Sequence, residues 1–184
     1  MSDKEFTTDL VNHVKATYCI DVSRVYAAGY SNGGGFVNTL ACSPNHGGQF
    51  AAFASFAAAL YTDVTGDVTN GEHCTPARSP LPIYETHGTG DGTIPYNGGV
   101  GRGGPLPAIP EWLGRWAVRN KCTSSTTVDR GNGLTELSWT CAGVAGLLRH
   151  IKMQGQGHGY PGPTNTQLFM TPSIINWLSN HRKP

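Results

Sequence analysis

Residues 24–36 run RVYAAGYSNGGGF, and the fold follows from how a backbone can pass through them. Arg24-Val25-Tyr26-Ala27-Ala28 is a run of buried-strand type, and residues 36–41 suit a helix, so the glycine-rich stretch between them must turn one into the other. Inside it, Gly29-Tyr30-Ser31-Asn32-Gly33 matches G-x-S-x-G. In such an elbow a strand bends abruptly into a helix and the serine Oγ stands above the sheet. Glycines two before and two after Ser31 are expected to remove Cβ atoms that would clash in the crowded turn. The helix N-terminus then directs free N–H groups toward the serine. That of Asn32 leads them and is the candidate oxyanion donor.

Outward from the elbow, upstream Phe6, Leu10, Val11, Val14 and Tyr18 recur at helical spacing, with Asp3 as candidate cap. Downstream, residues 51–59 are small, apolar and uninterrupted, as in a strand buried on both faces. Residues 61–80 suit a polar loop, 81–87 the next strand, and 88–92 its turn-rich exit. Residues 96–107, rich in Gly and Pro, are expected to be loop. A helix fits residues 109–120, with Pro110 tolerated in its first turn. Residues 123–127 and 134–141 alternate like a hairpin around Arg130-Gly131-Asn132-Gly133. A last strand at 147–153, a loop at 154–165 and a helix at 172–180 close the chain. Strands alternating with helices predict an α/β architecture, a mostly parallel sheet with helices on both faces. The 184 residues suit one domain, 1–184.

A serine hydroxyl is barely nucleophilic near neutral pH and needs a base and an orienting acid. Chain order places the acid after the serine and the base after the acid, each on a loop beyond a later strand. His158, in GQGHGYP, follows the last strand and is the candidate base. His13, His46, His73 and His181 are expected to face solvent. His87 ends a strand but precedes the acid, and His150 lies within a strand as a packed or paired structural histidine. Asp91, in HGTGDGTIPY, sits just past a strand and is the candidate acid. Asp63 and Asp67 follow a less certain strand, and Asp129 borders the hairpin turn.

Composition excludes other classes. A net charge of +1 and no Lys/Arg cluster leave nothing to attract nucleic acid or a membrane surface. No apolar run reaches the roughly 18 residues needed to span a bilayer, and MSDKEFTTDL lacks the apolar segment of a secretion signal. The five cysteines, Cys19, Cys42, Cys74, Cys122 and Cys141, are too widely spaced for a CxxC motif. They suit a disulfide framework in an oxidising compartment, with one thiol left over; reduced buried cysteines are the alternative.

At these residues the chain resembles fungal feruloyl esterases related to carbohydrate esterase family 1, which are similar to extracellular polyhydroxybutyrate depolymerases. The resemblance runs in order through FTTDLVNHVKATYCIDVSRVYAAGYSNGGGF, HGTGDGTIPYNGG, EWLGRWAVRNKC and GHGYP. It implies an α/β-hydrolase fold with Ser31, Asp91 and His158 as triad, no metal or organic cofactor, and secretion. The substrates it implies are feruloylated arabinoxylan or pectin fragments, from which hydroxycinnamates are released. It also implies strands, a signal peptide and a second oxyanion donor ahead of Phe6, so the chain is expected to be N-terminally truncated. The consequences would be an open apolar edge at residues 24–28 and weak or absent turnover. On the same resemblance Cys122 is expected to pair with Cys141 and Cys42 with Cys74, leaving Cys19 alone. Tyr96, Trp112 and Tyr160, near the acid and base loops, are candidates to flank a planar acyl group, although aromatics there are more often packing. The loop at 96–107 is a candidate to shape the pocket mouth. Acetylxylan esterase and polyester depolymerase are the alternatives within the class. Outside it stand a catalytically incompetent fragment or carbohydrate-binding remnant, and a peptidase. The resemblance leaves oligomeric state open.

Overall fold

The computed structural model of the chain describes residues 2–61 and 74–184. The first helix, α1 (Asp3–Thr17), starts one residue earlier than the Asp3 cap predicts. Ser2 is the N-cap, its hydroxyl accepting from Glu5 N–H while the Glu5 carboxylate accepts from Ser2 N–H. Only part of the apolar stripe of α1 packs: Val11 lies against the main core, whereas Phe6, Leu10 and Tyr18 are exposed.

Then come β1 (Tyr26–Tyr30), α2 (Asn32–Ala41), β2 (Ala52–Phe56) and β3 (Ile83–Gly88). The glycine- and proline-rich stretch expected as loop instead contains a small hairpin, β4 (Gly99–Gly101) with β5 (Gly104–Leu106). Its strands are three residues each and Gly-rich, too short to show an alternating pattern. After α3 (Ile109–Arg119) follow β6 (Cys122–Gly131), β7 (Leu134–Cys141), β8 (Val144–Met153) and α4 (Met170–Ser179).

The main sheet has the order β1-β2-β3-β8-β7-β6. The expectation of a mostly parallel sheet holds for four of its six strands. The strands β1, β2, β3 and β8 are mutually parallel, but β7 and β6 join as an antiparallel meander. The physical cause is local, because two-residue turns such as Asn132-Gly133 and Ala142-Gly143 leave no room for a crossover helix. Among the described residues β1 pairs only with β2, so its other side is an edge, as expected.

Strand β2 is buried throughout and sends alternate side chains to two cores. Phe53 faces α2 and α3, joining Val37, Leu40, Trp112 and Trp116. Ala52, Ala54 and Phe56 face α4, joining Ile174 and Trp177. Helices therefore cover both faces. The cysteines pair as expected, Cys42 with Cys74 and Cys122 with Cys141, and Cys19 is free and exposed. Sequence separations of 32 and 19 residues make each crosslink worth about 3 to 4 kcal/mol by loop closure.

Candidate active site

The carboxyl ends of three parallel strands meet at one place. Strand β1 delivers Ser31, the loop after β3 delivers Asp91, and the loop after β8 delivers His158. At the elbow Ser31 holds φ 57° and ψ −121°, a conformation costing a non-glycine residue on the order of 1–3 kcal/mol. The surroundings impose it. Ser31 N–H donates to the Phe56 carbonyl at 2.9 Å, and the Ser31 carbonyl accepts from Gly35 and Ala59 N–H at 3.1 and 3.0 Å.

The glycines divide differently from the expectation. A Cβ on Gly29 would fall 2.3 Å from the Gly33 carbonyl oxygen, so glycine is required there. Around Gly33 itself a Cβ would meet nothing within 4 Å among the described residues. The tight positions are instead Gly34 and Gly35, whose Cβ atoms would land 2.8 Å from Ala58 Cβ and 2.1 Å from the Ala59 carbonyl oxygen. They let α2 lie directly on the chain leaving β2. The first turn of α2 has N–H groups with no intrahelical acceptor, and Asn32, its first residue, lines the Ser31 cavity.

Acid and base loops are tied by backbone. Thr89 N–H donates to Met153 O at 2.9 Å, Gly90 N–H to Gln156 O at 3.0 Å, and Gly155 N–H to Thr89 Oγ1 at 2.8 Å. A Cβ on Gly88 would sit 2.0 Å from the Gln156 oxygen, so only glycine allows this approach. The result is a continuous line: Ser31 Oγ lies 2.8 Å from His158 Nε2, and His158 Nδ1 lies 2.8 Å from Asp91 Oδ2. The Tyr30 hydroxyl donates to the His158 carbonyl at 2.8 Å and steadies the base loop. Such a line allows a hydroxyl to pass its proton to imidazole while a carboxylate holds the ring.

Burial alone would raise the Asp91 pKa. Hydrogen bonds from His87, His158 and the N–H groups of Ile94 and Thr93 outweigh it and hold the carboxyl far below the usual range. His87 was passed over in the sequence, yet it lies fully buried against the acid, with Nε2 3.4 Å from Asp91 Oδ2. Burial alone would lower its pKa, but contacts with Asp91, Glu85 and the Ile94 carbonyl raise it to about 10. Glu85, equally buried, touches both His87 and His150. Desolvation opposes its charge, and the two imidazoles more than compensate, keeping its pKa below the ordinary value. The available signal was two ionisable residues, Glu85 and His87, at strand spacing in an otherwise apolar run.

The remaining candidates separate by burial. Tyr96 is 8% exposed with its hydroxyl 3.0 Å from His150 Nε2, and Trp112 is 2% exposed with Nε1 donating to Asn38 Oδ1 at 3.2 Å. Both pack inside the protein, which corrects their expected role beside a substrate. Tyr160 is 41% exposed and meets the Tyr30 and Phe56 rings edge-on. His150 is a buried, paired residue as expected, and His13 is exposed. His46 is only half-exposed, 2.8 Å from Thr8 Oγ1, and the His181 ring lies tilted against the Trp177 ring with centroids 4.2 Å apart, so neither simply faces solvent. Asp129 is exposed and caps its own turn through Gly131 N–H. Asp63, Asp67 and His73 lie outside the described residues. Beside Ser31 opens a cavity of about 660 Å³ lined by Asn32, Tyr61, Thr93, Ile94 and Arg102. Arg102 is in the β4–β5 turn, so the stretch expected to shape the pocket mouth contributes to its wall.

No protein-family model matches the chain. The resemblance read from the sequence is nevertheless met among curated proteins. Over 146 residues the chain is 32% identical to feruloyl esterase B of Piromyces equi, covering 77% of this chain and 26% of that protein. Over 171 residues it is 31% identical to a probable feruloyl esterase C of Aspergillus niger, covering 92% and 54%. A bifunctional acetylxylan esterase/xylanase of Neocallimastix patriciarum is 26% identical over 162 residues, covering 85% and 21%. The chain thus spans between about a fifth and about half of the length of these relatives.

Proposed function

We propose that this chain carries the catalytic residues of a serine carboxylic-ester hydrolase with an α/β-hydrolase fold. Its substrates are hydroxycinnamate esters of plant cell-wall polysaccharide, namely feruloylated arabinoxylan or pectin fragments. The single observation that carries the reading is the unbroken hydrogen-bond line from Ser31 Oγ through His158 to Asp91. Similarity to feruloyl esterases supplies the substrate class.

In this mechanism Ser31 Oγ attacks the ester carbonyl carbon while His158 Nε2 takes the hydroxyl proton. Asn32 N–H donates to the developing oxyanion. The carbon–oxygen bond to the sugar then breaks, and His158 returns its proton to the departing alkoxide. An acyl-enzyme remains, and His158 activates a water that releases ferulate and restores Ser31. Asp91 keeps the imidazole in the tautomer that presents a bare Nε2, and stabilises the imidazolium formed during transfer. The Ser31 cavity accommodates the acyl group, with Tyr61 the aromatic on its wall, and Tyr160 lines a neighbouring cavity with Tyr30. The two disulfides support work in an oxidising, extracellular setting. Similarity to the Neocallimastix protein favours acetylated xylan as the second substrate reading.

A fluorophosphonate probe tests the chemistry. Labelling of the folded chain that disappears in Ser31→Ala is the expected result. A folded, unlabelled wild-type chain would overturn the proposal and favour an incompetent or carbohydrate-binding piece. Hydrolysis of methyl ferulate against acetylated xylan then separates the two substrate readings.

A further inference from the structure

We infer that Arg102, at the tip of the β4–β5 hairpin, is a specificity-determining residue that selects substrates bearing a sugar carboxylate in the same cavity as the ester. Oligosaccharides containing uronic acid, as in pectin fragments, are then taken ahead of neutral arabinoxylan pieces. The selection rests on Ser31 being the ester-cleaving serine proposed above, and it narrows that serine's substrate class.

Packing fixes where the tip sits. Leu106 of β5 is buried with Ala59 and Ile94 in a small cluster against which Tyr61 packs. Ala59, Ile94 and Tyr61 also line the Ser31 cavity, so the hairpin is anchored in the wall of the site rather than beside it. Strand pairing sets Gly101 opposite Gly104 and leaves Arg102 and Gly103 as the turn. Tyr61 lies directly beneath. A Cβ on Gly101 would fall 2.3 Å from the Tyr61 hydroxyl oxygen, and one on Gly103 would fall 2.8 Å from its ring. Glycine on either side lets the turn settle against the tyrosine. Arg102 is then the one side chain larger than hydrogen between Val100 and Pro105, and it lines the cavity that holds Ser31.

Charge gives the tip its chemistry. Among the described residues lining the cavity, Arg102 is the only charged one, and no described carboxylate pairs with it. The site's own carboxylate does not neutralise it. Asp91 is buried, with Oδ1 accepting from Thr93 and Ile94 N–H and Oδ2 from His158. A guanidinium stays charged at any working pH, and its paired N–H donors match the two oxygens of a carboxylate.

Which part of the substrate carries the anion follows from the chemistry of the ester. A hydroxycinnamoyl group in ester linkage is neutral, and so are arabinose and xylose. The carboxylate must therefore come from a uronic acid on the sugar side. A cavity of about 660 Å³ has room for an acyl group together with a sugar, lying well inside the roughly 300–1,000 Å³ of small-molecule sites. The same guanidinium could meet the carboxylate of released hydroxycinnamate, a second source that the test separates.

Amide NMR titration of the 184-residue chain reads the selection without turnover, using trigalacturonate, neutral xylotriose and ferulate at low salt. Trigalacturonate should bind about tenfold more tightly than xylotriose, the worth of one charge-assisted contact, and shift the amides of Ile94 and Gly103. Arg102→Gln should bring that ratio to about one, and Arg102→Lys, which keeps the charge without the fork, should retain part of it. Equal affinities in the wild type, no binding of either sugar, or an unchanged ratio in Arg102→Gln would each overturn the inference. So would ferulate as the only ligand to lose affinity with the arginine, which would mark a product site. Arg102 is exposed in a turn, so both variants should melt with the wild type. Should they not, salt decides on the unaltered chain: the preference must fade as ionic strength rises, and a salt-independent preference would overturn the role of charge. Fluorophosphonate labelling keeps the two readings apart. An unlabelled chain that still prefers trigalacturonate sinks the esterase and leaves the acidic-sugar site standing; a labelled chain without the preference does the reverse.

Discussion

Replacing Asp91 by Asn should invert the base, because the carboxylate's two oxygens are not equivalent. Oδ1 accepts from Thr93 and Ile94 N–H, both at 2.8 Å, while Oδ2 accepts from His158 Nδ1 at 2.8 Å. An asparagine offers one acceptor. Two backbone donors against one ring donor fix the amide oxygen at the Oδ1 position, which puts the NH₂ group against His158. The amide then donates to Nδ1, and the imidazole proton moves to Nε2. That nitrogen, 2.8 Å from Ser31 Oγ, becomes a donor and can no longer take the serine proton. A wrong tautomer of this kind costs on the order of 10⁴ in rate, or about 5 kcal/mol of barrier at 1.36 kcal/mol per decade. The NH₂ also meets His87, so some loss of stability, about 1–3 kcal/mol, should accompany it. The assay is the second-order rate of fluorophosphonate labelling of Ser31, followed by intact mass, with a thermal melt to confirm folding. Asp91→Asn labelling within tenfold of wild type, on folded protein, would refute the tautomer argument.

Ser31→Gly should abolish labelling yet raise stability by about 1 kcal/mol, since glycine adopts φ 57°, ψ −121° without a Cβ clash. For a chain of this size that means a Tm higher by about 2–4 °C, and an unchanged Tm would argue against stored strain. Within the same motif Gly35→Ala should destabilise by about 1–3 kcal/mol or more, its Cβ falling on the Ala59 carbonyl. Gly33→Ala should be neutral or stabilising by up to about 1 kcal/mol, and urea denaturation of the pair checks the contrast. Stability should also fall at both pH extremes. The raised His87 pKa contributes fully below about 6.5 and fades as pH climbs to about 10, whereas the depressed Asp91 pKa contributes above the ordinary carboxylate range and is lost in acid. Urea midpoints between pH 6 and 10 should decline in the wild type and much less in His87→Gln; equal slopes would contradict the shift.

The sequence alone determined what depends on local backbone and chemistry. G-x-S-x-G after a five-residue run of strand type specifies a strand-to-helix elbow, because few other paths carry a chain from one geometry to the other in that space. Asp91 and His158 were legible as residues on turn-rich loops just past strands, where side chains become free of the sheet. Order along the polymer assigned their parts. The hairpin at Asn132-Gly133 was legible for the same local reason, whereas the β4–β5 hairpin was too short to carry a pattern.

Only the tertiary structure decided what depends on which surfaces meet. Strand parity puts Glu85 and His87 on one face, but it took the pairing of β3 with β8, which sets Glu85 opposite His150, to make a charged network of them. Tyr96 and Trp112 look like pocket aromatics along the chain, and their burial follows from how α3 and the acid loop pack on the sheet. The need for glycine at 34 and 35 rather than 33 follows from where the chain leaving β2 crosses α2, a contact between residues more than twenty positions apart. Hydrogen bonds and close packing are set by distances in space. Sequence separation carries no information about them until the sheet order is known.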